Sequence, residues 1–286
     1  MNTTSKKVIT QLLNKYELAP LKKFGQNFLC DLNIVEKIAD SMHISNEDCV
    51  LEVGPGLGSL TQAIARHAKQ VVAVEIDKGM ICALKEVLAD TTNITVLEGD
   101  ILKTDIRSIA DSMFYGSFHA CGNLPYYITA PCILKLIESG AKSLTVMVQK
   151  EVADRLSASP GNKSYGSLTA SVAYFTRPVT LFTVSASCFY PVPDVESSIV
   201  HMDLSNPPFP VSRSLYTKVV RSSFAMRRKT IYNNLISGFA EESQGDIKKY
   251  VTDALEFCDI KPSVRAEDLA PEDFFTLAHY FEEKRK

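Results

Sequence analysis

The sequence lacks the spacings that announce a metal site or a redox pair. Its five histidines never fall in an H-E-x-x-H or similar pattern, so no structural or catalytic metal is expected. Its seven cysteines form no C-x-x-C pair, and several sit in apolar runs where a reduced thiol packs as a small hydrophobe. That usage points to a reducing compartment. The first twenty residues mix Lys, Asn, Thr and Gln with isolated apolar residues, which is neither a signal peptide nor a membrane span. A cytoplasmic protein is the expectation. Repeats and low-complexity tracts are missing too, and no phosphate loop ending in Gly-Lys-Ser or Gly-Lys-Thr occurs.

Net charge is also small, at −2. Taken whole, that argues against a nucleic-acid partner, because phosphate binding rests on clustered Lys and Arg. The distribution corrects the impression. Between Lys142 and Lys229 stand 11 basic residues against 5 acidic ones, a local balance of +6 that leaves −8 for the remainder. One basic face on an otherwise acidic protein is consistent with this.

What is present is an ordinary globular composition, 45% hydrophobic and 22% charged over 286 residues. That length suits one large α/β domain and a smaller one. Asn206-Pro207-Pro208-Phe209-Pro210 marks the expected boundary, giving domains 1–205 and 206–286. Beyond it, apolar positions such as Val219, Leu235, Val251 and Leu277 follow a helical period, so the second domain is expected to be all helical.

In the first domain, Cys49 to Val53 reads as a buried strand running into Gly54-Pro55-Gly56-Leu57-Gly58 and then a helix. This is the first half of a dinucleotide-type βαβ unit. A second strand, Val71 to Val74, ends at Glu75, 21 residues beyond Gly54, the spacing of an acid that grips ribose hydroxyls. A third, Ile94 to Leu97, ends at Gly99-Asp100. Glu52, Glu75 and Asp100 therefore gather near one edge. No Lys or Arg stands beside the glycines to meet a phosphate. An acidic pocket without phosphate ligands suits a positively charged nucleoside, and S-adenosylmethionine fits, having a sulfonium and an ammonium but no phosphate. Gly54 would border its methionine part, Glu75 its ribose and Asp100 its adenine amine.

Gly122-Asn123-Leu124-Pro125-Tyr126-Tyr127 follows a further strand-like run, Ser117 to Cys121, which the proline ends. Asn123 offers a neutral acceptor and Tyr126 a flat aromatic face. These suit a planar ligand with an exocyclic amine, such as adenine. Read alone, the same residues make an ordinary turn. Phe189-Tyr190-Pro191-Val192-Pro193-Asp194 lies between two more strands, Val179 to Val184 and Ile199 to Leu204. It is either a stiff connection packing Phe189 into the core or a second wall for a target base. Two basic stretches remain, Lys22-Lys23 ahead of Gly25-Gln26-Asn27-Phe28-Leu29, and Arg221 through Arg227-Arg228-Lys229.

Together these motifs, with Val74-Glu75-Ile76-Asp77, Gln149-Lys150-Glu151-Val152-Ala153 and Arg265-Ala266-Glu267-Asp268-Leu269, run nearly end to end. In them the chain resembles the ribosomal RNA small-subunit adenine dimethyltransferase family. The resemblance implies a Rossmann-like class I methyltransferase sheet with helices on both faces, plus a small helical C-terminal domain. It implies cofactor contacts at Asn27, Leu29, Gly54, Glu75, Asp100 and Asn123, and a target-base site at Asn123, Leu124, Tyr126 and Phe189. RNA contacts are expected at Lys22, Lys23, Arg221, Arg227, Arg228 and Lys229. The implied reaction dimethylates N6 of two adjacent adenosines near the 3′ end of small-subunit rRNA, within a ribosomal particle, by a protein expected to be monomeric. The alternatives are a large-subunit rRNA adenine dimethylase of the antibiotic-resistance type, a non-catalytic RNA-binding assembly factor, and a nicotinamide dehydrogenase. The glycine spacing disfavours the last.

Overall fold

A computed structural model describes residues 1–18, 26–205, 210–241 and 246–285. The chain divides into two compact units, one of residues 1–153 and 179–205, the other of residues 154–178 and 206–286.

The first unit runs α1 (Lys6–Lys15), β1 (Phe28–Leu29), α2 (Leu32–Asp40), β2 (Cys49–Val53), α3 (Ser59–Ala65), β3 (Gln70–Glu75), α4 (Lys78–Val87), β4 (Ile94–Glu98), α5 (Ile106–Met113), β5 (His119–Asn123), α6 (Thr129–Glu138) and β6 (Ser143–Gln149). The chain leaves it through α7 (Lys150–Leu156) and α8 (Ser167–Ala173), then returns as β7 (Val179–Val184), β8 (Phe189–Tyr190) and β9 (Ser197–Asp203). Seven strands form one sheet in the order β4-β3-β2-β5-β6-β9-β7. The pairs from β4 through β6 are parallel, and β9 is antiparallel to both neighbours. This is the doubly wound α/β architecture that the strand–glycine loop–helix pattern implied.

The order places a reversal between β2 and β5. The chain steps outward from β2 to β3 and β4, then comes back to the other side of β2 as β5. Loops at the carboxyl ends of these two strands therefore diverge and leave a crevice, where open α/β sheets take their ligands. Val53 lies directly opposite Gly122 in this ladder. Helices α2 and α3 cover the sheet with Val35, Ile38, Leu60 and Ile64, packed on Val50 and Val71. Asp31 and Asp77 start α2 and α4 by accepting main-chain N–H groups at 2.9 Å, a cap typically worth about 1 kcal/mol.

The last two strands differ in burial. β9 is buried along most of its length because it lies inside the sheet, between β6 and β7. β7 is the edge, mostly exposed, with an irregularity between Thr180 and Phe182.

The second unit contains α8, α9 (Arg213–Ser223), α10 (Ile231–Phe239), α11 (Ile247–Phe257) and α12 (Pro271–Glu283). Its core joins Val219, Leu235, Phe239, Val251, Phe274 and Phe281. A single cut after residue 205 does not describe the division, because residues 154–178 belong with these helices. Ala170 sits in their core, and its carbonyl accepts the buried Tyr216 hydroxyl at 2.8 Å. The proline-rich stretch records only one of the places where the chain passes between units. Among the described residues no helix is long and apolar enough to cross a membrane.

Candidate active site

The carboxyl ends of β2, β3, β4 and β5 border a cleft of about 1010 Å³ that is open to solvent. After β2 the chain turns at Gly54, whose φ of +64° is a left-handed value that side chains disfavour. Its N–H stays on the neighbouring strand, donating to Val74 O at 3.0 Å. The glycine loop is thus held against the end of β3.

Glu75 ends β3 and is buried. Its Oε1 accepts the main-chain N–H groups of Ile76 and Asp77 at 2.9 Å, and its Oε2 accepts Gly56 N–H at 3.4 Å. Burial raises its pKa, and these hydrogen bonds pull it back. The result is a carboxylate fixed in direction, with Oε2 held among the described residues by one long contact. Asp100 follows β4, and its Oδ1 accepts Leu102 N–H at 3.0 Å.

Glu52 lies within β2 and is almost completely buried. Burial drives its pKa from 4.5 to about 7, and the charge of Glu75 adds to this. Its Oε2 has no hydrogen-bond partner among the described residues. A buried carboxyl of this kind is costly unless something pairs with it.

Asn123 ends β5. Its Nδ2 donates to Asn27 O at 3.1 Å, which turns Oδ1 away as the acceptor. Leu124 is buried and anchored by its N–H to Met147 O at 3.0 Å. Residues Tyr126–Ile128 form one 3-10 turn, and the Tyr126 hydroxyl lies 3.4 Å from Ser197 Oγ.

All six residues assigned to the cofactor, Asn27, Leu29, Gly54, Glu75, Asp100 and Asn123, line this one cleft. Tyr126 does not line it and stands in the turn beside it. Of the two readings of Phe189, a core residue or a second wall for a target base, the structure has the core residue. Its side chain is fully buried with Leu29, Val35 and Ile199, because β8 pairs residue for residue with β1 and turns the ring inward. Arg221, Arg227, Arg228 and Lys229 are exposed on the helical unit, in the last turn of α9 and the loop before α10. Arg227 Nε lies 3.4 Å from Glu267 Oε2, and Arg265 shares that carboxylate. Lys22 and Lys23 lie outside the described residues.

Several lining residues had no assignment from the sequence: Thr3, Ile76, Ile101, Tyr127 and Ile128. Ile76 and Ile101 each follow an acid already assigned, and Tyr127 follows Tyr126, so adjacency alone could have marked them. Thr3 has no such signal. It reaches the cleft because α1 packs Ile9, Leu12 and Leu13 with Met80 and Leu84 of α4.

The chain is 42% identical over 289 residues to Ribosomal RNA small subunit methyltransferase A of Alkaliphilus oremlandii (strain OhILAs), covering 98% of each protein. It is 40% identical over 275 residues to the protein of that name from Geobacillus sp. (strain WCH70), covering 94% of each. Among solved structures, a dimethyladenosine transferase from Plasmodium falciparum matches with a TM-score of 0.74 and 29% identity, over 90% of this chain and 98% of that one. A 23S rRNA methyltransferase shares the fold, with a TM-score of 0.67 and 24% identity over 90% of this chain and 100% of that one. With the family model for ribosomal RNA adenine dimethylase matching residues 5–283, the chain belongs to that family.

Proposed function

We propose that this protein transfers methyl groups from S-adenosylmethionine to N6 of two adjacent adenosines in the 3′-terminal hairpin of small-subunit (16S) rRNA, giving N6,N6-dimethyladenosine. One observation carries the reading: the β2–β5 reversal brings Gly54, Glu75, Asp100 and Asn123 to one cleft, in a chain of the adenine dimethylase family.

The lining residues suit that donor. None of those described is Lys or Arg, whereas Glu52, Glu75 and Asp100 favour positive charge. Glu52 Oε2 lacks a partner that a cationic ligand would supply. Glu75 Oε2 would accept from ribose, and Asp100 from an adenine amine. Phe28, Leu57, Ile76 and Ile101 add apolar surface for the rest of the nucleoside.

When bound, S-adenosylmethionine supplies an electrophilic methyl group on a sulfonium. The protein's task is then to prepare the nucleophile. The N6 lone pair of adenine is delocalised into its ring and is a poor nucleophile until the amine bends toward tetrahedral. For the first methyl, Asn123 Oδ1 and the Leu124 carbonyl accept hydrogen bonds from the two N6 hydrogens and localise that pair; for the second, the one remaining N6 hydrogen is held in the same way. No strong base is needed at attack, because a methylated, positively charged amine is acidic and releases its proton to water. The Tyr126 ring holds the base flipped from its stack. Contact with Phe189 would require the β1–β8 ladder to part, so Tyr126 carries the stacking here. Positioning and electrostatics supply most of the acceleration.

Arg221, Arg227, Arg228 and Lys229, with Lys22 and Lys23, contact the RNA backbone of a small-subunit precursor particle, and the protein works as a cytoplasmic monomer. The test is labelled methyl transfer from S-adenosylmethionine to unmethylated small subunits, compared with large subunits and naked rRNA. Label is expected in small subunits, at N6 of adenosine. Preferential labelling of large subunits would overturn the substrate assignment.

A further inference from the structure

The loop after β5 carries two consecutive tyrosines, and the structure separates them. Tyr126–Ile128 make a single 3-10 turn after Pro125, whose φ is −58°. Three residues per turn set successive side chains about 120° apart, so Tyr126 and Tyr127 leave the backbone toward different surroundings. The Tyr126 hydroxyl goes to Ser197 on β9. Tyr127 instead lines the cleft, together with Gly99, Asp100, Ile101 and Ile128.

Tyr127 is also 56% exposed, a large ring standing in the cleft with little packed on it. Its phenol is raised first by partial burial, then by the negative charges of Asp100 and Glu75, which places it near both acids. Those are the carboxylates assigned to the purine and ribose of the donor. An exposed ring beside them is a stacking surface that the described residues leave open.

We propose that Tyr127 is a donor-binding residue, its ring forming the wall on which the adenine of S-adenosylmethionine stacks, while Tyr126 serves the adenine that is methylated. This rests on the donor assignment made above. Each tyrosine then serves one purine, and the single 3-10 turn sets both rings from one short loop. Tyr127 would govern donor affinity and leave the chemical step to Asn123.

The experiment uses the full chain and S-adenosylhomocysteine as the probe, titrated calorimetrically against wild type, Tyr127→Ala, Tyr127→Phe and Tyr126→Ala. Loss of base–aromatic stacking weakens the Tyr127→Ala complex by roughly 5- to 150-fold. Tyr127→Phe keeps the ring and stays near wild type, and Tyr126→Ala binds the probe normally but loses turnover. In methyl transfer, Tyr127→Ala raises KM for the donor in step with Kd and preserves kcat. The chain has 11 tyrosines and no tryptophan, so tyrosine emission is directly readable. Part of its quenching by the probe disappears in Tyr127→Phe.

Unchanged probe affinity in Tyr127→Ala, with wild type binding, overturns this inference and leaves the donor assignment standing. A fall in kcat at constant Kd also overturns it, because that pattern belongs to an acceptor-side residue. Failure of wild type to bind the probe overturns the donor assignment, and this inference with it.

Discussion

Asn123 Nδ2 donates to the main-chain oxygen of Asn27 at 3.1 Å, a bond between residues 96 positions apart. It joins the segment before β1 to the end of β5 and sets which way the Asn123 amide faces. With the nitrogen committed to Asn27, the oxygen is the atom offered to a substrate amine. Asn123→Ala is expected to lower kcat by roughly 10²- to 10³-fold, the usual cost of one preorganised polar contact to the reacting group. Binding of S-adenosylhomocysteine should weaken yet stay measurable. Unchanged turnover would remove Asn123 from the mechanism.

Glu52 predicts a pH signature in stability. Its pKa is about 7 in the folded chain against 4.5 ordinarily. Between those values the native state holds a proton that the unfolded state has released, so stability falls as pH rises and levels off above about 7. The span corresponds to about 3 kcal/mol. Glu52→Gln has no such proton, so the difference in stability between it and wild type should shift toward the variant by that amount from pH 4.5 to pH 8. Urea denaturation of both proteins across that range measures the shift, and a difference independent of pH would refute it.

Gly122 has no room for a side chain. Its φ is +154°, and an added Cβ would sit 2.4 Å from Val53 O on the paired strand. Backbone cannot yield cheaply there, so Gly122→Ala is expected to cost about 1–3 kcal/mol or more. The same shift would spread β2 from β5 and weaken probe binding at the cleft. Thermal melting and calorimetry read the two effects separately.

Phe189 is a core residue in this structure, with none of its side chain exposed. Phe189→Ala should lower stability by about 3–5 kcal/mol, as large-to-small changes at buried aromatics do. A loss below about 1 kcal/mol in urea denaturation would contradict this packing.

Arg228 and Lys229 are the better candidates for phosphate binding within the basic run, since Arg227 already shares Glu267 with Arg265. Replacing either with Ala should reduce the slope of log affinity against log salt by about 0.7–0.9 for each phosphate that the side chain had neutralised. Filter binding to small-subunit rRNA over a salt series gives that slope. An unchanged slope would return the run to a solvated surface.

Much of the site was legible in the residues because its signals are local. The glycine loop after β2, the acid 21 positions beyond Gly54, and the proline that ends β5 are each read from a short spacing or from one residue's backbone chemistry. The helical period of the last eighty or so residues is local in the same sense. These features determined an α/β unit with a glycine loop and strand-end acids at one edge, and helices in the last part of the chain.

The tertiary structure decided what depends on which segments become neighbours. Strand order has no local signature, so only the folded sheet could set β2 beside β5 and bring Val53 opposite Gly122. The same holds for Phe189, whose ring turns inward because β8 pairs with β1, and for residues 154–178, claimed by the helical unit through bonds such as Tyr216 to Ala170. Tyr126 and Tyr127 look alike in the sequence. They part company only when a 3-10 turn sends one ring toward β9 and the other into the cleft, because direction in space is a property of the turn and not of the residue type.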